Sequence, residues 1–145
     1  MEKYYSMLSA FALILGALAV CGCSGKVQVH GTVKYPDGSP LEKGTVCVGN
    51  DQVTFMGNIR ADGTFSLGEI KDGDGIPPGS YKVWIANTIT RNYELDKEGQ
   101  PISTRKTEIV LIDPKYGSPS TSGLTFEVKS GERKRLDIIV ETPKN

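Results

Sequence analysis

Residues that commonly carry catalysis are scarce in this chain. His30 is the only histidine among 145 residues, and the cysteines are Cys21, Cys23 and Cys47. A Ser-His-Asp or Cys-His mechanism would have to use His30, because the nucleophile needs a neighbouring base. His30 alternates with valines in a strand-like stretch, and no catalytic motif surrounds it. We therefore interpret it as a surface histidine and expect neither catalytic residues nor enzyme activity.

Metal and redox chemistry find equally little support. Cys47 stands in a short apolar stretch without a second cysteine or a histidine at ligand spacing, so we expect an inert strand residue. Residues 72–75, Asp-Gly-Asp-Gly, are similar to the start of a calcium loop. An EF-hand loop needs a glutamate at its twelfth position, where this chain has Val83. We predict a turn there, and we expect no metal and no cofactor.

Trp84 and Tyr116 are the candidate ligand-binding residues. By alternation, Trp84 faces away from the apolar side of its strand, and an outward tryptophan can stack on a sugar or anchor a partner. More often such a tryptophan is covered by a neighbouring segment, for which residues 87–106 are the candidate. Tyr116 lies in a predicted loop at 113–122, which could bind a ligand. The Gly and Pro residues of that loop serve turn geometry equally well.

The N-terminal segment carries a different kind of chemistry. Residues 7–20 form an uncharged apolar run of about fourteen residues, shorter than the ~20 that span a bilayer as a helix. The run ends in Val20-Cys21-Gly22-Cys23-Ser24. This ending resembles the signal of bacterial lipoproteins, with an aliphatic residue three before the modified cysteine and a small residue directly before it.

The resemblance implies a signal peptide over residues 1–22 and lipidation of Cys23 by a thioether-linked diacylglycerol with palmitate-type chains. Cys21 is the competing site, but the β-branched Val20 directly before it fits badly where a small residue is needed. Ser24 does not resemble an inner-membrane retention signal, so an outer-membrane location is compatible with the sequence. The alternatives are an uncleaved membrane anchor and a secretory signal that is cleaved elsewhere.

The charge balance limits the partners. Lys plus Arg and Asp plus Glu are 17 each, giving a formal net charge of zero. Removal of residues 1–22 would take away one charge of each sign, Glu2 and Lys3. A neutral chain argues against nucleic acid as a partner and against mainly electrostatic membrane attachment.

The elements that must position these residues are short strands separated by turns. Alternating or apolar runs predict strands at 27–35, 45–49, 52–59, 65–67, 81–86, 108–112, 124–128 and 136–141. We expect the 108–112 strand to be covered on both faces, at least in part, and the polar residues 87–106 to form a long mobile loop. No stretch after Lys26 predicts an amphipathic helix. The pattern indicates an all-β domain over residues 23–145, a sandwich or small barrel of seven to eight strands.

The order of the motifs resembles a known family. "VQVHGTVKYPDGSPLEKGTVCV", "ADGTFSL" and "IPPGSYKVWI" are similar to the carboxypeptidase regulatory-like and transthyretin-like domains. The resemblance covers residues 27–85 and implies a seven-stranded Greek-key β-sandwich of the immunoglobulin or prealbumin type. Residues 115–124 resemble a subgroup of short bacterial lipoproteins that carry this domain.

The resemblance also bears on function. Domains of this family serve as folding modules beside peptidases, as adhesin stalks or as surface modules. The transthyretin-like hydrolases need several histidines and a C-terminal Tyr-Arg-Gly-Ser, whereas this chain has one histidine and ends in Thr-Pro-Lys-Asn. We expect a non-catalytic structural or interaction module of the cell envelope. It would be tethered to the membrane by its lipid, with an envelope protein or glycan as partner. The alternative is a module that binds a small ligand, carbohydrate or cell-wall fragment through Trp84 and the long loops.

Overall fold

The computed structural model describes residues 25–144 except 70, 72 and 132, and it leaves out the side chains of 103–106. The described residues form nine strands and one short 3-10 helix at Pro114–Gly117. The strands are β1 (Val29–Lys34), β2 (Thr45–Gly49), β3 (Thr54–Asn58), β4 (Thr64–Ser66), β5 (Gly79–Ala86), β6 (Ile89–Leu95), β7 (Pro101–Val110), β8 (Leu124–Val128) and β9 (Lys134–Ile139).

Seven of these strands form two sheets. One sheet has the order β4-β1-β9, and the other has the order β3-β2-β5-β8. β1 and β9 run parallel, while the other pairs of the two sheets are antiparallel. The sheets approach each other at one edge, where Met56 of β3 exchanges two backbone hydrogen bonds with Gly68. The predicted all-β sandwich of seven to eight strands is confirmed.

The core lies between the two sheets and follows the alternation of the sequence. In β1, Val29 and Val33 are buried while His30 is exposed, and in β5 the buried positions are Tyr81, Val83 and Ile85. Both sheets contribute to one apolar cluster. Complete burial of such a side chain contributes about 1.5–3 kcal/mol, so the alternation stabilises the face-to-face arrangement.

Two turns are held by aspartates whose carboxylates accept hydrogen bonds from the residue two positions later. The carboxylate of Asp37 accepts hydrogen bonds from the backbone amide and hydroxyl of Ser39, at 2.9 and 2.6 Å. Asp62 accepts the same pair from Thr64, at 2.9 and 2.6 Å. The hydroxyl donors, followed by the amides, hold the pKa of both carboxyl groups below the ordinary value.

Residues 87–106 depart from the predicted loop. Most of them belong to β6 and β7, which pair antiparallel with each other and form a separate two-stranded sheet. The prediction of a long loop is therefore wrong. Ile89, Tyr93 and Leu95 alternate with polar residues in β6, and the number of charges between them concealed the strand period.

The expectation for residues 108–112 is also wrong in part. Ile109 and Val110 are exposed because they belong to β7, outside the two main sheets. Burial begins only where the chain returns to the sandwich, with Ile112 completely enclosed. The apolar run reflects a strand that leaves the core, and it is not a strand covered on both faces.

Candidate functional site

Trp84 lies on the outer face of the four-stranded sheet. Its neighbours along the chain, Val83 and Ile85, point into the core, whereas the indole is half-buried and faces away from it. In the register of the sheet, Trp84 stands opposite Cys47. The ring leans towards Gly49: a β-carbon at Gly49 would stand 3.1 Å from the indole Cη2. A side chain at that position would displace the ring.

An open groove of about 600 Å³ lies beside the indole. It is bordered by the loop after β2, by β5 and β8, and by the loop that follows the 3-10 helix. The polar and apolar residues that line it together with Trp84 include Asn50, Asp51, Lys82, Pro119, Thr125 and Glu127. The lining thus combines an aromatic ring with hydrogen-bonding groups that include both positive and negative charges.

Several polar groups of the groove are not engaged elsewhere. Within the described ranges, the indole N–H of Trp84 and the side chains of Asp51, Lys82 and Thr125 have no hydrogen-bond partner in the protein. Asn50 differs, because its side-chain oxygen accepts from the amides of Gln52 and Val53 at 3.0 and 3.1 Å. Asn50 therefore shapes the β2–β3 turn, while the other groups can turn towards a ligand.

The segment next to Trp84 is different from the expected one. Of the residues in 87–106 whose side chains the structure describes, none lines the groove, and Pro119 from the loop at 118–123 borders it instead. Ser122 ties that loop to the sheet, since its hydroxyl donates to the Val83 carbonyl at 2.6 Å. The groove beside Trp84 is thus bordered by a different segment from the one expected to cover the indole.

Tyr116 is not part of the groove. It is 7% exposed and packs into the core cluster, from the middle of the 3-10 helix. Asp113 caps this helix by accepting from the Lys115 amide at 2.9 Å, and the Lys115 ammonium lies 4.8 Å from the centre of the Tyr116 ring. Tyr116 holds the loop against the sandwich, and the two candidate ligand-binding residues do not share one site.

The two other residues considered for catalysis, His30 and Cys47, lie in different environments. His30 is exposed on β1. Cys47 is 4% exposed, between Trp84 and Met56 of the adjacent strands, and burial raises the pKa of its thiol. The thiolate is the reactive form, so this environment opposes reactivity.

No group of three or more metal-ligating side chains occurs in the part of the chain that the structure describes. Asp74, from the calcium-like sequence, has a structural contact: its carboxylate accepts from the Glu69 amide at 2.7 Å. Gly73 and Gly75 both have positive φ, at 84°, in agreement with the predicted turn.

The predicted signal peptide and Cys23 lie outside the described residues. Just ahead of β1, Val27 pairs with Ile76 in an isolated antiparallel bridge. The opposite end of β1 is marked by Tyr35, whose hydroxyl donates to the Leu111 carbonyl at 3.0 Å. Within the described ranges, none of the helical residues forms a segment of the length and apolar composition needed to cross a bilayer.

The groove residues other than Trp84 were not predicted from the sequence. Lys82, Thr125 and Glu127 could have been placed on the outer face by the alternation of their strands. The order of the strands, which brings β8 beside β5, has no signal in the sequence. Asp51 and Pro119 come from loops whose position depends on that order.

Comparisons with known proteins complete the description. No protein-family model matches the chain, and no curated protein matches it. Similar solved structures include a DUF3823 family protein from Bacteroides ovatus, with 18% identity and a TM-score of 0.41 over 79% of this chain and 44% of that one. Another is BcpA, the major pilin subunit of Bacillus cereus, with 12% identity and a TM-score of 0.43 over 83% and 30%.

A 9R-lipoxygenase from Cyanothece is similar at 14% identity and a TM-score of 0.32, over 79% of this chain and 16% of that one. This chain spans less than half of the length of each of the three proteins. At these TM-scores the likenesses assign no family. The all-β sandwich rests on the strand pairing itself, and the resemblance to carboxypeptidase regulatory-like domains stays a prediction.

Proposed function

We propose that the protein is a lipid-anchored, non-catalytic structural or interaction module of the bacterial cell envelope. The observation that carries the proposal is the sequence Val20-Cys21-Gly22-Cys23 after an apolar run and directly before a β-sandwich. Two or three acyl chains on Cys23, at ~0.8 kcal/mol per buried methylene, give stable membrane attachment. The burial of Cys47 and the exposed position of His30 on β1, without a catalytic motif around it, support a role without catalysis.

The proposal implies an orientation for the sandwich. Val27 comes four positions after Cys23 in the sequence, and a fully extended chain spans about 3.5 Å per residue. The end of the sandwich at the Val27–Ile76 pair would then lie within about 14 Å of the lipid. The opposite end, where Tyr35 contacts Leu111, would point away from the membrane.

Labelling with radioactive palmitate tests the anchor. We expect the wild-type chain to be labelled and to sediment with membranes, and Cys23→Ser to lose both properties. Cys21→Ser is the matched control, and it should retain the label. A labelled Cys23→Ser chain would refute the assignment of the lipid to this residue.

The groove at Trp84 favours a second candidate function, the binding of a neutral saccharide or cell-wall fragment. A sugar ring presents an apolar face and a polar rim, and the groove offers a half-buried indole beside Asp51, Lys82 and Thr125. The lining carries charges of both signs, which suits a neutral ligand better than a charged one.

Trp84 is the only tryptophan, so its fluorescence reports on the groove directly. We expect titration with soluble, uncharged cell-wall saccharides to shift or quench the emission, and Thr125→Ala to weaken the response. Met56→Ala, an exposed change on the same sheet face but outside this groove, is the control. Emission that is unchanged at millimolar saccharide would refute the ligand-binding function and leave the anchor proposal intact.

A further inference from the structure

The two strands β6 and β7, with the turn that joins them, form an arm at residues 89–110. Among the described strands they pair only with each other. The arm carries most of the exposed large apolar side chains of the described residues, with Leu95 at 62% exposure and Ile89, Tyr93, Ile109 and Val110 also exposed. An isolated two-stranded hairpin is marginally stable in water, and open strand edges with apolar side chains favour pairing with another chain.

The two edges of the arm are not equivalent. β7 begins with Pro101, which has no amide hydrogen, and its register jumps from Lys106 opposite Tyr93 to Ile102 opposite Glu94. Prolines and irregular pairing are features that protect an edge from further strands. β6 contains neither a proline nor a glycine over its seven residues, and the residues inserted at the register shift all belong to β7. The edge of β6 is therefore the open one.

We propose that the arm is a self-association site, in which β6 pairs antiparallel with β6 of a second copy of this chain. The register that pairs all seven residues is centred on Asn92. It sets Ile89 opposite the partner's Leu95 and Arg91 opposite the partner's Tyr93. Thr90 then stands opposite the partner's Glu94, and Asn92 meets its own counterpart.

This register brings apolar and aromatic side chains of the two copies together, while Arg91 stays within 2.9 Å of Glu108 of its own arm. Ile89, Arg91, Tyr93 and Leu95 alternate onto one face of β6. The Ile–Leu pair is apolar, and an arginine beside a tyrosine ring gains a cation–π contact. A centre moved by one residue to Arg91 would set two arginines directly opposite each other, which is destabilising. The Asn92-centred register has no like charges in direct opposition.

The arm lies at the end of the sandwich that is remote from the proposed lipid anchor. The chain enters β6 and leaves β7 beside Thr88 and Leu111, which are joined by a backbone hydrogen bond at 3.0 Å. Leu111 lies at the end of β1 that is remote from Val27. The open edge of β6 therefore begins at the end of the sandwich that is remote from Val27. The self-association does not depend on the lipid anchor.

Disulfide trapping at residue 92, which faces its own counterpart in the proposed dimer, tests the proposal. Residues directly opposite in an antiparallel pair have Cα atoms about 4.5–5.5 Å apart, within the range that a disulfide bridges. We expect the purified full chain with Asn92→Cys to form a band at twice the monomer mass after mild oxidation. The matched control is Thr107→Cys, which lies opposite Asn92 within the same arm but on the protected strand. The parent chain gives the background from its own cysteines.

The register is tested by mixing two variants. Thr90→Cys and Glu94→Cys should cross-link efficiently when mixed and weakly when either is oxidised alone. Equal cross-linking of Asn92→Cys and Thr107→Cys would indicate random collision and overturn the proposal. Absence of an Asn92→Cys dimer would overturn it as well, and a mixed pair no better than its separate members would overturn the register.

Mass measurement by light scattering gives an independent readout without added cysteines. We expect the mass of the full chain in detergent to approach that of two copies as concentration rises. Leu95→Lys should weaken this association about tenfold. The twofold dimer contains two Ile89–Leu95 contacts, and the substitution removes both. A monomer at every concentration, or a dimer that Leu95→Lys leaves unchanged, would contradict self-association through β6.

Discussion

The backbone of Leu136 closes off the space above Gly31. A β-carbon at Gly31 would stand 1.8 Å from the Leu136 carbonyl oxygen, and the two residues are direct neighbours in the parallel β1–β9 pair. Glycine is required at this position because the obstacle is backbone and cannot rotate away. The glycine in the strand motif "VHGTV" thus has a packing cause that the sequence alone leaves open.

Gly31→Ala is expected to destabilise the domain by about 3 kcal/mol, the upper part of the usual range for overpacking. Denaturant unfolding followed by circular dichroism measures the change. Gly117→Ala is the matched control, since no atom lies within 4 Å of its added β-carbon. An equal, small change at both positions would show that β1 and β9 can separate without cost.

The Tyr116 ring is expected to stabilise the folded domain and to hold in place the loop at 118–123 that borders the groove. Tyr116→Ala should cost about 3–5 kcal/mol, as for other large-to-small core changes, while Tyr116→Phe should cost far less. The same unfolding measurement applies, and Trp84 emission would report the movement of Pro119. A Tyr116→Ala chain as stable as wild type would contradict the core position of this side chain.

The Cys47 thiol is expected to resist modification in the folded state. In a chain with Cys21→Ser and Cys23→Ser, a maleimide should label Cys47 only after unfolding, because burial limits access and raises the thiol pKa. Mass spectrometry at increasing denaturant concentrations measures the labelled fraction. Rapid labelling of the native chain would contradict the enclosed position between Trp84 and Met56.

The two turn aspartates predict a stability that depends on acid pH. Their pKa values are lower in the folded than in the unfolded chain, so the unfolded chain binds more protons in the window between the two values. Stability contributed by Asp37 and Asp62 is therefore present above pH 4 or so, near the ordinary carboxyl pKa, and is lost as pH falls through the folded pKa.

NMR titration of the two carboxyl groups measures these values directly. Ser39→Ala and Thr64→Ala remove the hydroxyl donors and should move the corresponding aspartate pKa upward. Thr125→Ala, remote from both turns, should move neither. An unshifted aspartate after removal of its hydroxyl partner would show that the turn amides alone set its pKa.

Local alternation predicted the central strands well. Val29 and Val33 in β1, and Tyr81, Val83 and Ile85 in β5, point into the core as the period of two requires. The turns at Asp37 and Asp62 were also predictable, because a short side chain that accepts from the amide two residues later is a local interaction.

The errors concern features that depend on distant parts of the chain. β6 carries Arg91, Asn92 and Glu94 among its apolar residues, and nothing local distinguishes such a strand from a polar loop. Tyr116 was interpreted as a loop residue that could bind a ligand, because a single turn of 3-10 helix has no period to reveal which side is buried. For Trp84 the outward direction followed from alternation, while Asp51 and Pro119 reach it only through the order of the strands.

The parallel pairing of β1 and β9 determines how the domain would respond to mechanical load. The six paired positions join Val29–Lys34 to Lys134–Ile139, with Val27 at one end of the pair and Val140 at the other. A force applied between these two residues would pull the strands past each other lengthwise and load all the connecting hydrogen bonds together. Such a shear geometry resists extension better than bonds that open one after another.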